Sequence, residues 1–98
     1  MATYIVLANF TEQGLRNVKD TTRRADAVKE MASQFGVTAK AFYWTLGKYD
    51  LVCVFEAPDD ASITSMGLTI GSAGNVRTQT LRAFSREEMD GVLGRLGQ

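Results

Sequence analysis

Histidine is missing from this chain, and cysteine, proline and tryptophan each occur once. The lack of histidine removes histidine-based triads and general bases, proximal-histidine haem, and most zinc and non-haem iron sites. The lone Cys53 lies in an apolar run. It can form neither an internal disulfide nor a Cys-x-x-Cys redox pair, so nothing asks for an oxidising compartment. No metal site and no cofactor are expected, and any catalysis must rest on Asp, Glu, Tyr, Arg, Lys or Asn. Net charge is lacking as well: eleven basic and eleven acidic side chains cancel, and no run of like charge exceeds two residues. That removes the basic footprint of a nucleic-acid binder and the basic face of a membrane-surface domain. The opening residues Met1 to Leu7 carry no basic n-region and meet polar Asn9 early. They read neither as a signal peptide nor as a membrane span, and the cytoplasm is the expected location.

What is present fits one folded domain over residues 1–98, with hydrophobic residues at 45%, too many for disorder. Residues 3–9 are β-rich and too short for a helix, so they read as a strand. Thr11 offers an N-cap to a segment running to Phe35. Its apolar members Leu15, Val18, Ala25, Val28, Met31, Ala32 and Phe35 recur at helical spacing. Asp20-Thr21-Thr22 is better cap than helix material, which predicts a kink or restart there. Gly36 then ends the segment. Residues 37–46 and 51–56 read as two strands of a hairpin around Gly47-Lys48-Tyr49-Asp50. Pro58 ends the second, and Asp59 caps a helix over about 60–73. Residues 75–83 form a fourth strand. Ser85 and Glu88 make a capping box for a short terminal helix carrying Met89, Val92, Leu93 and Leu96. The order β-α-β-β-α-β plus a terminal helix is a ferredoxin-like α+β fold, with two helices on one face of a four-stranded antiparallel sheet.

The strands are apolar on both faces. Pairing Leu46 with Leu51, Trp44 with Cys53 and Phe42 with Phe55 puts these six side chains on one face, under the helices. Ala41, Tyr43, Thr45, Val52 and Val54 fall on the other. In the first strand Tyr4, Val6 and Ala8 oppose Ile5 and Leu7. A sheet with one wet face alternates apolar with polar, and two helices cover only one side. Burying each Val-sized group is worth roughly 1.5–3 kcal/mol, so the second face is expected to pack against another copy of the chain. The alternative is that the terminal helix folds over it.

The hairpin segment Tyr43-Trp44-Thr45-Leu46-Gly47-Lys48-Tyr49-Asp50-Leu51-Val52, with Phe55-Glu56-Ala57-Pro58-Asp59-Asp60 and Gly74-Asn75-Val76-Arg77-Thr78-Gln79-Thr80-Leu81, resembles the GYD domain family. Gly47, Tyr49 and Asp50 hold its Gly-x-Tyr-Asp turn, and Phe10-Thr11-Glu12-Gln13-Gly14 extends the likeness toward the start of the chain. The resemblance implies a dimeric α/β-barrel and little chemistry. A more distant similarity is to the ligand-binding domain of leucine-responsive regulators, which bind small effectors near dimer interfaces. These 98 residues leave no room for their helix-turn-helix, so a direct transcription factor is not expected.

Four residues stand out as candidate ligand contacts: Asn9, Tyr49, Asp50 and Arg77. Tyr49 and Asp50 place a ring and a carboxylate at a loop. They equally suit a turn in which Asp50 bonds local amides, Tyr49 packs on the strand end and Gly47 supplies the permissive backbone. Arg77, like Arg82, could hold an anion bidentately or serve as a solvated or interface arginine. Asn9 could orient a carbonyl or simply turn the chain. Trp44 reads as core, and Cys53 as a small buried hydrophobe. Gly67-Leu68-Thr69-Ile70-Gly71 lacks the Lys-Ser/Thr of a phosphate loop and lies inside a helix. Three functions fit these readings: an oligomeric small-molecule-binding or regulatory module, a cofactor-free dimeric-barrel enzyme of monooxygenase or isomerase type, and a structural self-assembly unit. Expected partners are other copies of the chain and a small molecule.

Overall fold

A computed structural model describes residues 1–97. Strand β1 (Ala2–Phe10) leads into a short helix α1 (Glu12–Arg16) and a 3₁₀ turn at Val18–Asp20. Helix α2 (Thr21–Ala32) restarts where Asp20-Thr21-Thr22 interrupts the pattern, and a second 3₁₀ turn (Ser33–Phe35) ends it. Strands β2 (Thr38–Trp44) and β3 (Leu51–Ala57) form the hairpin. Helix α3 (Asp60–Ser72), strand β4 (Val76–Ala83) and helix α4 (Arg86–Leu93) complete the chain. The sheet order is β2-β3-β1-β4 with every neighbouring pair antiparallel. This is the ferredoxin-like α+β arrangement that the element order implied. Among the described residues, no helix is long and apolar enough to cross a membrane.

The core lies between the sheet and helices α2 and α3. Tyr4, Val6 and Ala8 of β1 pair with Phe55, Cys53 and Leu51 of β3, and all six are buried. Ile63 and Met66 of α3 and Ala32 of α2 close over them. Phe42 meets Phe55 edge to face at 5.8 Å, the arrangement that aligns one ring's positive rim with the other's negative face. The alternate residues Ile5, Leu7, Val52 and Val54 point the other way and stay half-buried. Tyr43 (60% exposed) and Leu81 (39%) extend this second face at its flanks. The chain is 18 Å across its thinnest dimension, room for one sheet and one helix layer but not a third. Met89, Val92 and Leu93 of α4 are exposed, so the terminal helix does not bury its apolar stripe on the open face.

Four expectations need correction. Trp44, not Leu46, pairs with Leu51, and Phe42 pairs with Cys53. The turn is wider than four residues because Thr45 N–H bonds Asp50 O at 2.8 Å and closes it from outside. A two-residue slip keeps each side chain on its face, but it ejects Leu46, which is fully exposed (101%). A bulge at Lys40, between the pairs Ala39–Phe55 and Ala41–Val54, absorbs the mismatch. Trp44 is not core: it is 43% exposed and donates its indole N–H to Thr21 Oγ1 at 3.0 Å. Leu15 and Val18 are exposed rather than inward, because α1 turns Gly14 toward the body instead.

Candidate functional site

The Gly-x-Tyr-Asp turn joins β2 to β3 and bonds to both β1 and β4. Gly47 has φ 101°, a backbone conformation that a Cβ disfavours. Beyond it, Thr45 Oγ1 donates to Tyr49 O at 2.6 Å. Asp50 N–H donates to Ala8 O, and Asp50 Oδ2 accepts from Phe10 N–H, each at 2.9 Å. The Asp50 carboxylate thus satisfies a backbone donor at the end of β1. The Tyr49 hydroxyl donates to Gln79 Oε1 on β4 at 3.1 Å, and Lys48 Nζ lies 5.8 Å from the centre of the Tyr49 ring. Asn9 sits directly opposite Arg77 across β1 and β4. Asn9, Tyr49 and Arg77 therefore gather with Gln79 at one end of the open sheet face, while Asp50 is engaged by the turn.

Arg82 belongs elsewhere. It pairs with Glu88 at 3.2 Å and lies over the rings of Tyr4 and Phe84 on the helix side. The Tyr4 hydroxyl donates to Asp60 Oδ1 at the start of α3. That bond raises the Tyr4 pKa above the ordinary phenol value, with burial adding to it. Asp59 caps the same helix by accepting from Ser62 N–H at 2.8 Å, which holds its carboxyl below the usual range.

A second and more enclosed feature lies on the covered side. A cavity of about 330 Å³ opens between α2, α3 and the sheet, a volume at the small end of ligand pockets. Val6, Cys53 and Phe55 line its floor, and Val28, Met31 and Ile70 its walls. Arg24 and Thr21 of α2 also line it. Arg24 Nη1 donates to Asn17 O at 2.7 Å, whereas Nη2 is buried and has no partner among the described residues. Burial pushes the Cys53 thiol up to about 11, so it is protonated at neutral pH and a poor nucleophile.

Two features escaped the reading of the sequence. One is Arg24, whose spacing of four from Val28 was the available signal: it puts Arg24 on the same helix face as a core residue. The other is the latch at Thr11-Glu12-Gln13-Gly14. Thr11 N–H bonds Asn75 O at 3.0 Å, and Thr11 Oγ1 donates to Gly74 O at 2.5 Å. Gln13 Nε2 reaches Ala73 O at 3.0 Å and Asn75 Oδ1 at 3.1 Å. Gly14 is packed so closely that a Cβ there would stand 2.0 Å from Asn75 O.

The chain matches known proteins along most of its length. The profile of the GYD domain matches residues 4–93. A protein of Thermus thermophilus named glutamine synthetase and cystathionine beta-lyase binding protein is 40% identical over 85 residues, which span 86% of this chain and 90% of that protein.

Proposed function

Because this chain belongs to the GYD domain family, we propose that it is a self-associating binding module of the cytoplasm, one that docks on other proteins and responds to a small molecule held in its cavity. The observation that carries the reading is the second face of the sheet. Ile5, Leu7, Val52 and Val54 form its centre and stay half-buried, with Tyr43 and Leu81 exposed beside them. Each such group gains roughly 1.5–3 kcal/mol on full burial. A two-fold axis through the face lets the same patch cover itself on a second copy, which builds the dimeric α/β-barrel. Docking on other proteins is supported by the Thermus thermophilus relative, whose name records binding to two enzymes. The cavity favours binding over turnover. Among the described residues, its wall offers neither a carboxylate nor an activated thiol for proton transfer or attack.

Light scattering coupled to size-exclusion chromatography tests the assembly. The wild-type chain is expected as a dimer or a multiple of it, and Val54→Lys, at the centre of the face beside Ile5 and Ala41, as a folded monomer. A wild-type monomer at tens of micromolar would refute the self-association. Surface plasmon resonance against glutamine synthetase and cystathionine beta-lyase of the same organism tests the docking. Saturable binding to either supports it, and no binding to both removes it.

A further inference from the structure

We infer that the cavity takes a small amphipathic anion, a monocarboxylate with an apolar tail, whose head group accepts from the Arg24 guanidinium and whose tail lies over Cys53 and Phe55. This rests on the small-molecule reading above and assigns the chemical class.

Charge comes first. Among the described residues, Arg24 is the one charged side chain in the cavity wall. A guanidinium presents paired donors whose geometry matches a carboxylate. Here one donor nitrogen is already fixed by Asn17 O, while the other is buried without a partner among the described residues. Buried N–H groups left unpaired are rare in folded proteins. Nη2 has almost no accessible surface, so an acceptor in the cavity reaches it only when the guanidinium turns toward the opening. An acceptor there supplies the missing partner, and a negatively charged one does so with the stronger bond. A second donor stands next to it. Thr21 is one turn before Arg24 on α2, lines the same cavity, and accepts the Trp44 indole N–H at Oγ1. Its own hydroxyl proton is therefore free to be donated.

The rest of the wall selects the tail. Beyond Thr69, Asn75 and Thr78, it is apolar: Val6, Val28, Met31, Phe55 and Ile70 offer no hydrogen-bonding nitrogen or oxygen on their side chains, and Thr69 and Asn75 already bond Ser65 O and Gln13 Nε2. A sugar or nucleoside would lose its hydrogen bonds to water there without replacement. A polyphosphate would need more than one cation. An apolar chain of modest length ending in one negative charge satisfies both the volume and the single cation with its neighbouring hydroxyl.

The test compares three probes with one tail: octanoate, octanol and octylamine, titrated by isothermal calorimetry at pH 7, with Trp44 fluorescence as a second readout. Wild type is expected to bind octanoate about ten- to a hundredfold more tightly than octanol, the range for a hydrogen bond to a charged group. Octylamine is expected to bind more weakly than octanol. Arg24→Gln should bring octanoate down to the octanol level and leave octanol unchanged. Met31→Trp, which fills the cavity, should abolish both. Equal affinity for octanoate and octanol in wild type would overturn the anion assignment while keeping the cavity as a binding site, and so would octanoate affinity unchanged in Arg24→Gln. If none of the three binds at millimolar concentration, the small-molecule reading fails with it.

Discussion

Replacing Gly14 with alanine should unlatch the first helix from the α3–β4 loop. The new Cβ would sit 2.0 Å from Asn75 O and 3.0 Å from Asn75 C, and both are backbone atoms that cannot swing aside. Either α1 or the 73–75 loop must move. That displaces the Thr11 N–H to Asn75 O bond and the Thr11 Oγ1 to Gly74 O bond. Overpacking costs about 1–3 kcal/mol, and each hydrogen bond lost costs about 1 kcal/mol. Alanine's better helix propensity returns about 1 kcal/mol. The net is a loss of about 2–4 kcal/mol, a large share of the roughly 5–15 kcal/mol that holds a small domain folded. In a urea titration with a slope of about 2 kcal/mol/M this lowers the midpoint by about 1–2 M. The controls are Gly67→Ala in α3 and Gly91→Ala in α4, where a Cβ meets nothing within 4 Å. Those two should stabilise by about 0.5–1 kcal/mol. All variants are compared at one protein concentration, since association adds to apparent stability. A Gly14→Ala midpoint at or above wild type would refute the close-approach argument.

Two further outcomes follow from titratable groups. Cys53, raised to about 11 from an ordinary 9.0, should react with a thiol reagent at pH 8 at least about tenfold more slowly in the folded chain than in urea, because so high a pKa leaves far less of the thiol ionised. Equal rates in the folded and unfolded chain would contradict its burial. Glu88 is held below the usual carboxyl range first by Ser85 N–H and then by Arg82. A depressed carboxyl stabilises the fold above its unfolded pKa, near 4.5, and that contribution is lost as pH falls through the folded value. The Cα shifts of residues 86–93 should therefore move toward coil on acidification below about pH 4.5, and Glu88→Gln should remove the pH dependence. Helix α4 shifts that stay constant to about pH 3, or that move equally in both proteins, would show that the capping box does not hold the helix.

Most of the architecture was legible in the residues, for local reasons. Short, β-rich apolar runs marked the strands. Asp59, Ser85 and Glu88 announced helix starts through side chains that bond amides three residues away. The β-α-β-β-α-β order then leaves few ways to assemble one sheet. The two-faced apolar pattern of β1 and β3 also survived a register error, since a slip of two residues exchanges no faces. Tertiary structure decided whatever depends on distance between remote segments. Turn width follows from Asp50 reaching Phe10 and Ala8, contacts across forty residues that no local signal encodes. Trp44 is drawn to the rim because Thr21 offers its indole a partner. Gly14 is required by the backbone of Asn75, sixty-one residues away. Arg24 lies within a polar run of the sequence, and only the packing of α2 over the sheet brings it to the cavity wall. Local chemistry thus determined the elements and their faces, while the gaps between packed elements, where a ligand would sit, came only from the assembled fold.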